Sequence, residues 1–249
     1  MSPLHVLLTF RAPAIATHAR PGQFVHVRVS PDGTSPLLRR PFSLAGHNQA
    51  DGTIRLLVRM IGRGTAMLTE LARGTHLPIL GPLGTPFPQI DPRREVILVA
   101  GGVGVAPLLF HATRAPRRPQ TVLYGAGTEG ALVLADELAE HCDRVLCATD
   151  DGSLGHHGFV TDLLPQALRE AEAPVVLACG PRAMLARTAQ ECRACGVLCY
   201  VSFEAWLGCG VGACLGCVIP AAGEPRRYVR VCRDGPVFAA EEIGWDLLG

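Results

Sequence analysis

Between Glu95 and Cys179 four apolar runs recur, and stretches with helical spacing separate and follow them. The runs are EVILVA from Glu95, QTVLYGA from Gln120, DRVLCATDD from Asp143 and APVVLACGP from Ala173. The helical stretches are GGVGVAPLLFHATR, LVLADELAE, VTDLLPQALREA and PRAMLARTAQECRAC. An uninterrupted apolar run suits a parallel strand buried on both faces. Strands alternating with helices imply βαβ units and an open parallel sheet. The longest apolar stretch, Val96 to Phe110, is interrupted by Gly101, Gly102, Gly104 and Pro107. A spanning helix needs about 20 apolar residues, so this stretch is not a membrane segment.

The first ~90 residues have a different texture, read as all-β. Short runs such as Gln23–Val29 and Thr53–Met60 lie between turn formers at Pro21-Gly22, Pro31-Asp32-Gly33, Asp51-Gly52 and Gly81-Pro82-Leu83-Gly84. Many short strands with such turns predict a small antiparallel barrel, interrupted by a helix over Thr65–Leu71. The last ~50 residues are rich in Gly and Cys and show little periodicity. The chain has 249 residues, enough for two domains plus a small module.

Composition excludes several function classes. At 48% hydrophobic residues and a net charge of +1, the chain is neither disordered nor a dedicated nucleic-acid binder. Its 23 basic residues are all Arg. The absence of Lys removes a phosphate loop of the Walker type and any Schiff-base mechanism. The N-terminal MSPLHVLLTFRAPA lacks a basic region followed by a long apolar one, so no signal peptide is expected. A cytoplasmic protein is the starting expectation, in which ten Cys serve metal, redox or core roles rather than disulfides.

Four of those cysteines form the strongest motif. Cys209, Cys214, Cys217 and Cys232 give C-x4-C-x2-C-x14-C, the plant-type spacing for a 2Fe–2S cluster. Gly210, Gly212 and Gly216 are interleaved with them. Glycine lets a loop wrap a cluster and turn its N–H groups toward sulfur. Structural zinc is the rival, although zinc sites usually pair two C-x2-C knuckles and one is present here. A zinc-stapled, nucleotide-binding regulatory module without turnover is the corresponding rival function. Cys142 and Cys147 are read as small apolar residues on or beside strands. Cys192, Cys195 and Cys199 are read as a helix C-terminus passing through Gly196 into the next strand.

Two further motifs are weaker alone. Gly101-Gly102-Val103-Gly104-Val105-Ala106-Pro107 follows a predicted strand, where N–H groups and a helix N-terminus can face a phosphate. It departs from the Rossmann fingerprint because Pro107 replaces the third Gly. Arg40-Pro41-Phe42-Ser43 offers a bidentate fork for a pyrophosphate and a hydroxyl for a polar cofactor edge. Taken singly, Arg39-Arg40 also reads as an exposed pair at a strand start.

The order RPFS, GGVGVAPL and Cys179-Gly180-Pro181 resembles the ferredoxin–NADP reductase superfamily. Within it, the chain resembles the electron-transfer subunits of B-type dihydroorotate dehydrogenases over nearly its whole length. The resemblance rests on RPFS (40–43), GRGT (62–65), GPLG (81–84), GGVGVAPL (101–108), TDDGSLGHHGFVTDLL (149–164), CGPRAML (179–185), FEAWLGCGVGACLGC (203–217) and CRDGPVF (232–238).

The resemblance implies an FAD-binding barrel at 1–92, a pyridine-nucleotide α/β domain at 93–200 and a 2Fe–2S domain at 201–249. It implies that Arg40 binds the FAD pyrophosphate and Ser43 lies near flavin N5, with Pro41 and Phe42 beside them. Leu57, Val58, Arg59, Gly64 and Thr65 complete that site, while Gly102, Gly104 and Cys179 belong to the nicotinamide side. Gly125-Ala126-Gly127 replaces a Gly-aromatic-Arg segment of relatives. The implied activity carries electrons from the FMN of a separate dihydroorotate dehydrogenase catalytic subunit through 2Fe–2S and FAD to NAD+. That is a step of pyrimidine biosynthesis, performed in a two-plus-two heterotetramer. No dihydroorotate site or catalytic base is expected in this chain. A sister subunit for ferredoxin:NADP transhydrogenation, or for sulfide or polysulfide reduction, is the alternative.

Overall fold

The computed structural model describes residues 4–30, 35–114, 118–223 and 226–248. The expected turn at Pro31-Asp32-Gly33 lies outside them. The first sheet contains β1 (His5–Arg11), β2 (Phe24–Val27), β3 (Arg40–Asn48), β4 (Thr53–Arg59) and β5 (Ile79–Leu83), with α1 (Pro13–His18) and α2 (Arg63–Thr69) between strands. Its order is β1-β4-β3-β2-β5 and every pairing is antiparallel. Among the described residues no pairing joins β5 to β1.

Two expectations for this half need correction. The N-terminal region is not all strand apart from α2, because α1 intervenes with Pro13 at its start. Proline's fixed φ suits the first helical position, where its missing N–H costs nothing. The GPLG turn is also partly strand, since Gly81–Leu83 belong to β5 and pair with β2.

The second sheet follows the alternation in the sequence. Its strands are β6 (Val96–Gly101), β7 (Gln120–Ala126), β8 (Arg144–Thr149), β9 (His156–His157), β10 (Val175–Cys179) and β11 (Leu198–Ser202). The helices are α3 (Val105–Arg114), α4 (Ala135–His141), α5 (Leu164–Glu170) and α6 (Arg182–Ala194). A hairpin of β12 (Val218–Pro220) and β13 (Tyr228–Arg230) precedes β14 (Val237–Ala239). The sheet order is β14-β11-β10-β6-β7-β8-β9. It is parallel except at one edge, where β14 runs antiparallel to β11. That edge corrects the expectation of a purely parallel sheet. It also places part of the cysteine-rich C-terminal region in the nucleotide sheet.

All six residues of β6 are buried. Val96, Leu98 and Ala100 pack into one core while Ile97 and Val99 pack into another, as period-two side chains on a sheet covered on both faces must. Helix α3 is buried over eight consecutive residues, Val105 to Ala112. A helix apolar all round is covered all round. Leu108 and Leu109 share a core with Leu98 of the second sheet, and Leu57 and Ala45 of the first sheet join it. Phe110 packs instead among Leu44, Ile54 and Leu56, with its ring edge-on to His47 at 5.1 Å. The long apolar stretch of the sequence is therefore a central strand plus a helix held between two sheets. No helix among the described residues is long and apolar enough to cross a membrane.

A polar contact adds to this junction. Arg55 on β4 reaches Glu137 on α4 with both guanidinium ends, Nη2 lying 2.7 Å from Oε2. The paired guanidinium holds the Glu137 carboxyl below its ordinary range.

Truncating Phe110 to Ala should leave a cavity between the sheets. Denaturant unfolding should show a loss of roughly 3–5 kcal/mol, as for other fully buried aromatic truncations. A loss no larger than an exposed substitution causes would contradict α3 as the joining element.

Candidate functional site

Three groups of residues singled out by sequence come together at identifiable places. The first lies where β3 begins. Arg40 pairs with Val27 and Ser43 with Phe24 across β2. The Arg40 guanidinium lies over buried Gly64, where a Cβ would sit 3.1 Å from Nε and 3.4 Å from Nη2. Its Nη1 donates to the Leu38 carbonyl. The Thr65 hydroxyl ties the adjoining turn, accepting N–H groups of Ile61 at 3.0 Å and Gly62 at 3.1 Å and donating to the Gly62 carbonyl at 2.9 Å. Ser43 and Phe42 are half-buried, whereas Pro41 and Arg59 are exposed. Leu57 and Val58 are buried, with Val58 fully enclosed. Fork, cradle and hydroxyl suit a pyrophosphate and a polar ring edge.

The second group lies at the C-terminal ends of β6 and β10. The chain runs outward from β6 through β7 and β8, then crosses back to β10 on the other side of β6. Such a reversal opens the crevice where open α/β sheets bind ligands. Gly102 has φ +53°, with open space where a side chain would stand. Gly104 is the opposite case. A Cβ there would lie 2.2 Å from the Cys179 carbonyl oxygen and 2.8 Å from the Gly180 nitrogen. The first glycine keeps the crevice open and the second lets two loops touch through backbone. Tyr124, fully buried, places its hydroxyl 3.2 Å from the Gly102 carbonyl and 3.0 Å from that of Val133.

Burial pushes the Cys179 thiol well up, so it stays protonated. Glu204 lies close enough to act on it electrostatically. That residue keeps exposed surface, yet the protein around its carboxyl disfavours ionisation and raises its pKa. At the ends of β7 and β8, a Cβ on Gly127 would stand 3.8 Å from an Asp150 carboxylate oxygen, and Asp151 accepts the Ser153 hydroxyl and N–H.

The third group is the cysteine loop. The β12–β13 hairpin places Cys217 and Cys232 side by side, with Val231 N–H on the Cys217 carbonyl at 3.0 Å and Cys232 N–H on Cys217 Sγ at 3.5 Å. This is why fourteen residues separate them in sequence. Cys209 Sγ accepts N–H groups of Val211 at 3.5 Å and Cys214 at 3.4 Å, and Cys232 Sγ accepts that of Gly212 at 3.1 Å. These donors lower the Cys209 thiol to about 6. Burial, then the neighbouring Cys217, raise that of Cys232 to about 12. The four sulfurs thus fall into two neighbouring pairs, Cys209 with Cys214 and Cys217 with Cys232. Four cysteines with N–H groups on sulfur are the donor chemistry of a two-iron cluster held by four thiolates, although among the described residues no three of them converge into a metal cage.

Arg230 fastens this loop, pairing with Asp234 through both carboxylate oxygens at 3.0 Å and reaching the Gly212 carbonyl at 3.3 Å. The remaining C-terminal cysteines stand apart: Cys192 and Cys199 are buried against each other between α6 and β11, and Cys195 caps α6.

Comparison with known proteins agrees with each group. Residues 5–87 match the family model described as oxidoreductase FAD-binding domain, and 98–190 match oxidoreductase NAD-binding domain. Residues 204–244 match the iron-sulfur cluster binding domain of dihydroorotate dehydrogenase B, which decides against the zinc reading. The dihydroorotate dehydrogenase B (NAD(+)) electron transfer subunit of Bacillus velezensis is 40% identical over 90% of this chain and 86% of its own. The chain belongs to that family. The same-named subunit of Geobacillus thermodenitrificans is 39% identical over 95% of this chain and 91% of its own. A solved structure of an NADH-dependent reduced ferredoxin-NADP oxidoreductase, described in terms of flavin-based electron bifurcation, superposes with a TM-score of 0.87. It is 32% identical and covers 99% of this chain and 88% of its own.

Sequence reasoning passed over Tyr124, Glu204 and Arg230 at these sites. Glu204 and Asp234 lie inside motifs quoted for the resemblance. Tyr124 reads as one more apolar strand residue, and nothing near Arg230 marks it.

In this dihydroorotate dehydrogenase B family member, Gly104→Ala should force apart the β6 and β10 loops. NADH affinity, followed by quenching of flavin fluorescence or by steady-state KM, should weaken at least tenfold. Unchanged affinity would remove Gly104 from the crevice. Cys217→Ser should abolish bound iron and acid-labile sulfide, because a neutral hydroxyl is a poor iron ligand. Cys192→Ser should leave both unchanged, and equal losses in the two variants would undo the separation of ligand and core cysteines.

Proposed function

We propose that this chain is the NAD-linked electron-transfer subunit of a dihydroorotate dehydrogenase B. It would comprise an FAD unit at 1–92, a nucleotide unit at 93–200 and a 2Fe–2S unit at 201–249. Its partner is an FMN-containing catalytic subunit, in a two-plus-two heterotetramer. When bound, the cluster carries single electrons, FAD holds one or two, and nicotinamide exchanges a hydride, so the set converts single electrons into a two-electron reduction.

The chain's own residues bind and orient these groups. Arg40 presents its fork to the FAD pyrophosphate beside Gly64, and Thr65 keeps the turn that forms the cradle. Pro41 and Phe42 fix the strand that carries Ser43, whose hydroxyl meets the polar edge of the flavin. Leu57, Val58 and Arg59 form the neighbouring strand. Gly102 and Gly104 admit the nucleotide to the crevice, and the protonated Cys179 thiol lies beside it with Glu204 close by. Cys209, Cys214, Cys217 and Cys232 hold the cluster.

The observation that carries the reading is the direct fastening of the cysteine segment to the flavin sheet. Just past β5, Thr85 donates its N–H to the Gly235 carbonyl at 2.6 Å and its hydroxyl to the Val237 carbonyl at 3.1 Å. A Cβ on Gly84 would strike Pro236 at 2.4 Å. The GPLG and CRDGPVF segments therefore meet, which supports a short path between the proposed iron ligands and the proposed flavin residues.

The isolated holoprotein should oxidise NADH with an artificial acceptor and be inert toward dihydroorotate. Adding the FMN subunit should establish dihydroorotate-dependent NAD+ reduction, and Cys→Ser at the cluster should abolish that coupling while NADH–dye activity persists. Dihydroorotate oxidation by the lone chain, or coupled turnover without a cluster, would overturn the assignment. The likeness to the ferredoxin-NADP oxidoreductase favours one second reading, a subunit coupling reduced ferredoxin to NADP+. Activity with reduced ferredoxin and NADP+, and none with the FMN subunit, would select it.

A further inference from the structure

His26 lies on β2, opposite Pro41 of β3 and Leu80 of β5, and is completely buried. Its ring faces out of the flavin sheet toward the cysteine loop. A Cβ on Gly210 would stand 2.5 Å from Nδ1 and 3.2 Å from Cε1. Gly210 has φ +73°, so both its backbone conformation and this ring demand glycine between Cys209 and Val211. Neither ring nitrogen makes a well-formed hydrogen bond among the described residues. The two carbonyls near enough to act on the ring belong to Arg39, the neighbour of Arg40, and to Cys209.

A buried imidazole with an unpaired N–H carries a desolvation cost, and an aliphatic side chain would fill the same space without it. The ring spans the residue next to the proposed pyrophosphate ligand and the first cysteine of the cluster loop.

We propose that His26 is a positioning residue for the iron–sulfur cluster. It seats the Cys209–Gly210 segment on the flavin sheet by ring contact, and the Cys209 carbonyl is the acceptor its N–H takes when the loop closes on the cluster. The inference rests on the cluster assignment above and goes beyond it, since it gives a residue of the flavin sheet control over the geometry of an iron ligand. The register of β2 with β3 then fixes the cluster relative to Arg40–Ser43, because one strand carries the ring and the next carries the flavin residues.

The test uses the FAD-loaded, cluster-loaded chain with His26→Phe, which keeps a ring and removes the donor, and His26→Gln, which restores an N–H. The readouts are the paramagnetic resonance spectrum of the dithionite-reduced cluster, its midpoint potential, and the rate of iron loss to a chelator. For His26→Phe, FAD and iron should be retained, the spectrum and potential should shift, and iron should leave about fivefold faster, the equivalent of one hydrogen bond of about 1 kcal/mol. His26→Gln should return all three toward wild type. A His26→Phe protein identical to wild type in spectrum, potential and iron loss would overturn the proposal. So would loss of FAD together with iron in both variants, which would make His26 a core residue of the flavin sheet. Wild-type protein purified anaerobically without iron or sulfide would instead overturn the cluster assignment itself.

Discussion

Everything else in this fold depends on α3 having no solvent face. A helix buried along one side would tie its own domain together and leave the flavin sheet free. Because Phe110 packs into the antiparallel sheet while Leu108 and Leu109 pack into the parallel one, the two sheets share a wall. The loop that starts this helix contains Gly102 and Gly104, so the element joining the sheets also sets the mouth of the nucleotide crevice. Binding geometry and domain packing are in this sense one problem, solved over about fifteen consecutive residues.

The parallel half was legible because its strands are buried on both faces and its helices other than α3 on one, which gives each a distinct pattern. The strands at EVILVA and APVVLACGP were readable for that reason. The flavin half was harder. Strand β5 carries Gly81 and Pro82, residues that ordinarily mark a turn, and it pairs nonetheless because it is an edge strand bonded to β2 alone. Helix α1 is six residues long, too short for its period to register.

Site residues divide in the same way. The four cysteines proposed as ligands were visible because a coordination motif has a local spacing, and the hairpin of β12 and β13 accounts for the one long gap. The crevice glycines were visible only as a turn. What makes Gly104 necessary is contact with Cys179, seventy-five positions away, and no single-sequence pattern encodes that meeting. His26 was invisible for a related reason, since folding alone brings it against Gly210, whereas Arg230 shows only an ordinary i,i+4 spacing to Asp234. The edge strand β14 was missed because it is three residues long and gains its meaning from β11.

That edge strand has a topological corollary. Ser202 at the end of β11 faces Val237 at the start of β14 in the ladder. Residues 203–236, ligands included, are therefore a closed excursion that leaves the sheet and returns to the strand it left. Nothing downstream of Cys232 touches metal chemistry, yet the last dozen residues decide whether the excursion has one anchored end or two. A chain severed after Cys232 would keep every ligand and lose the second anchor. During synthesis the loop is complete before its return strand emerges, so its second anchor forms only when β14 pairs with β11.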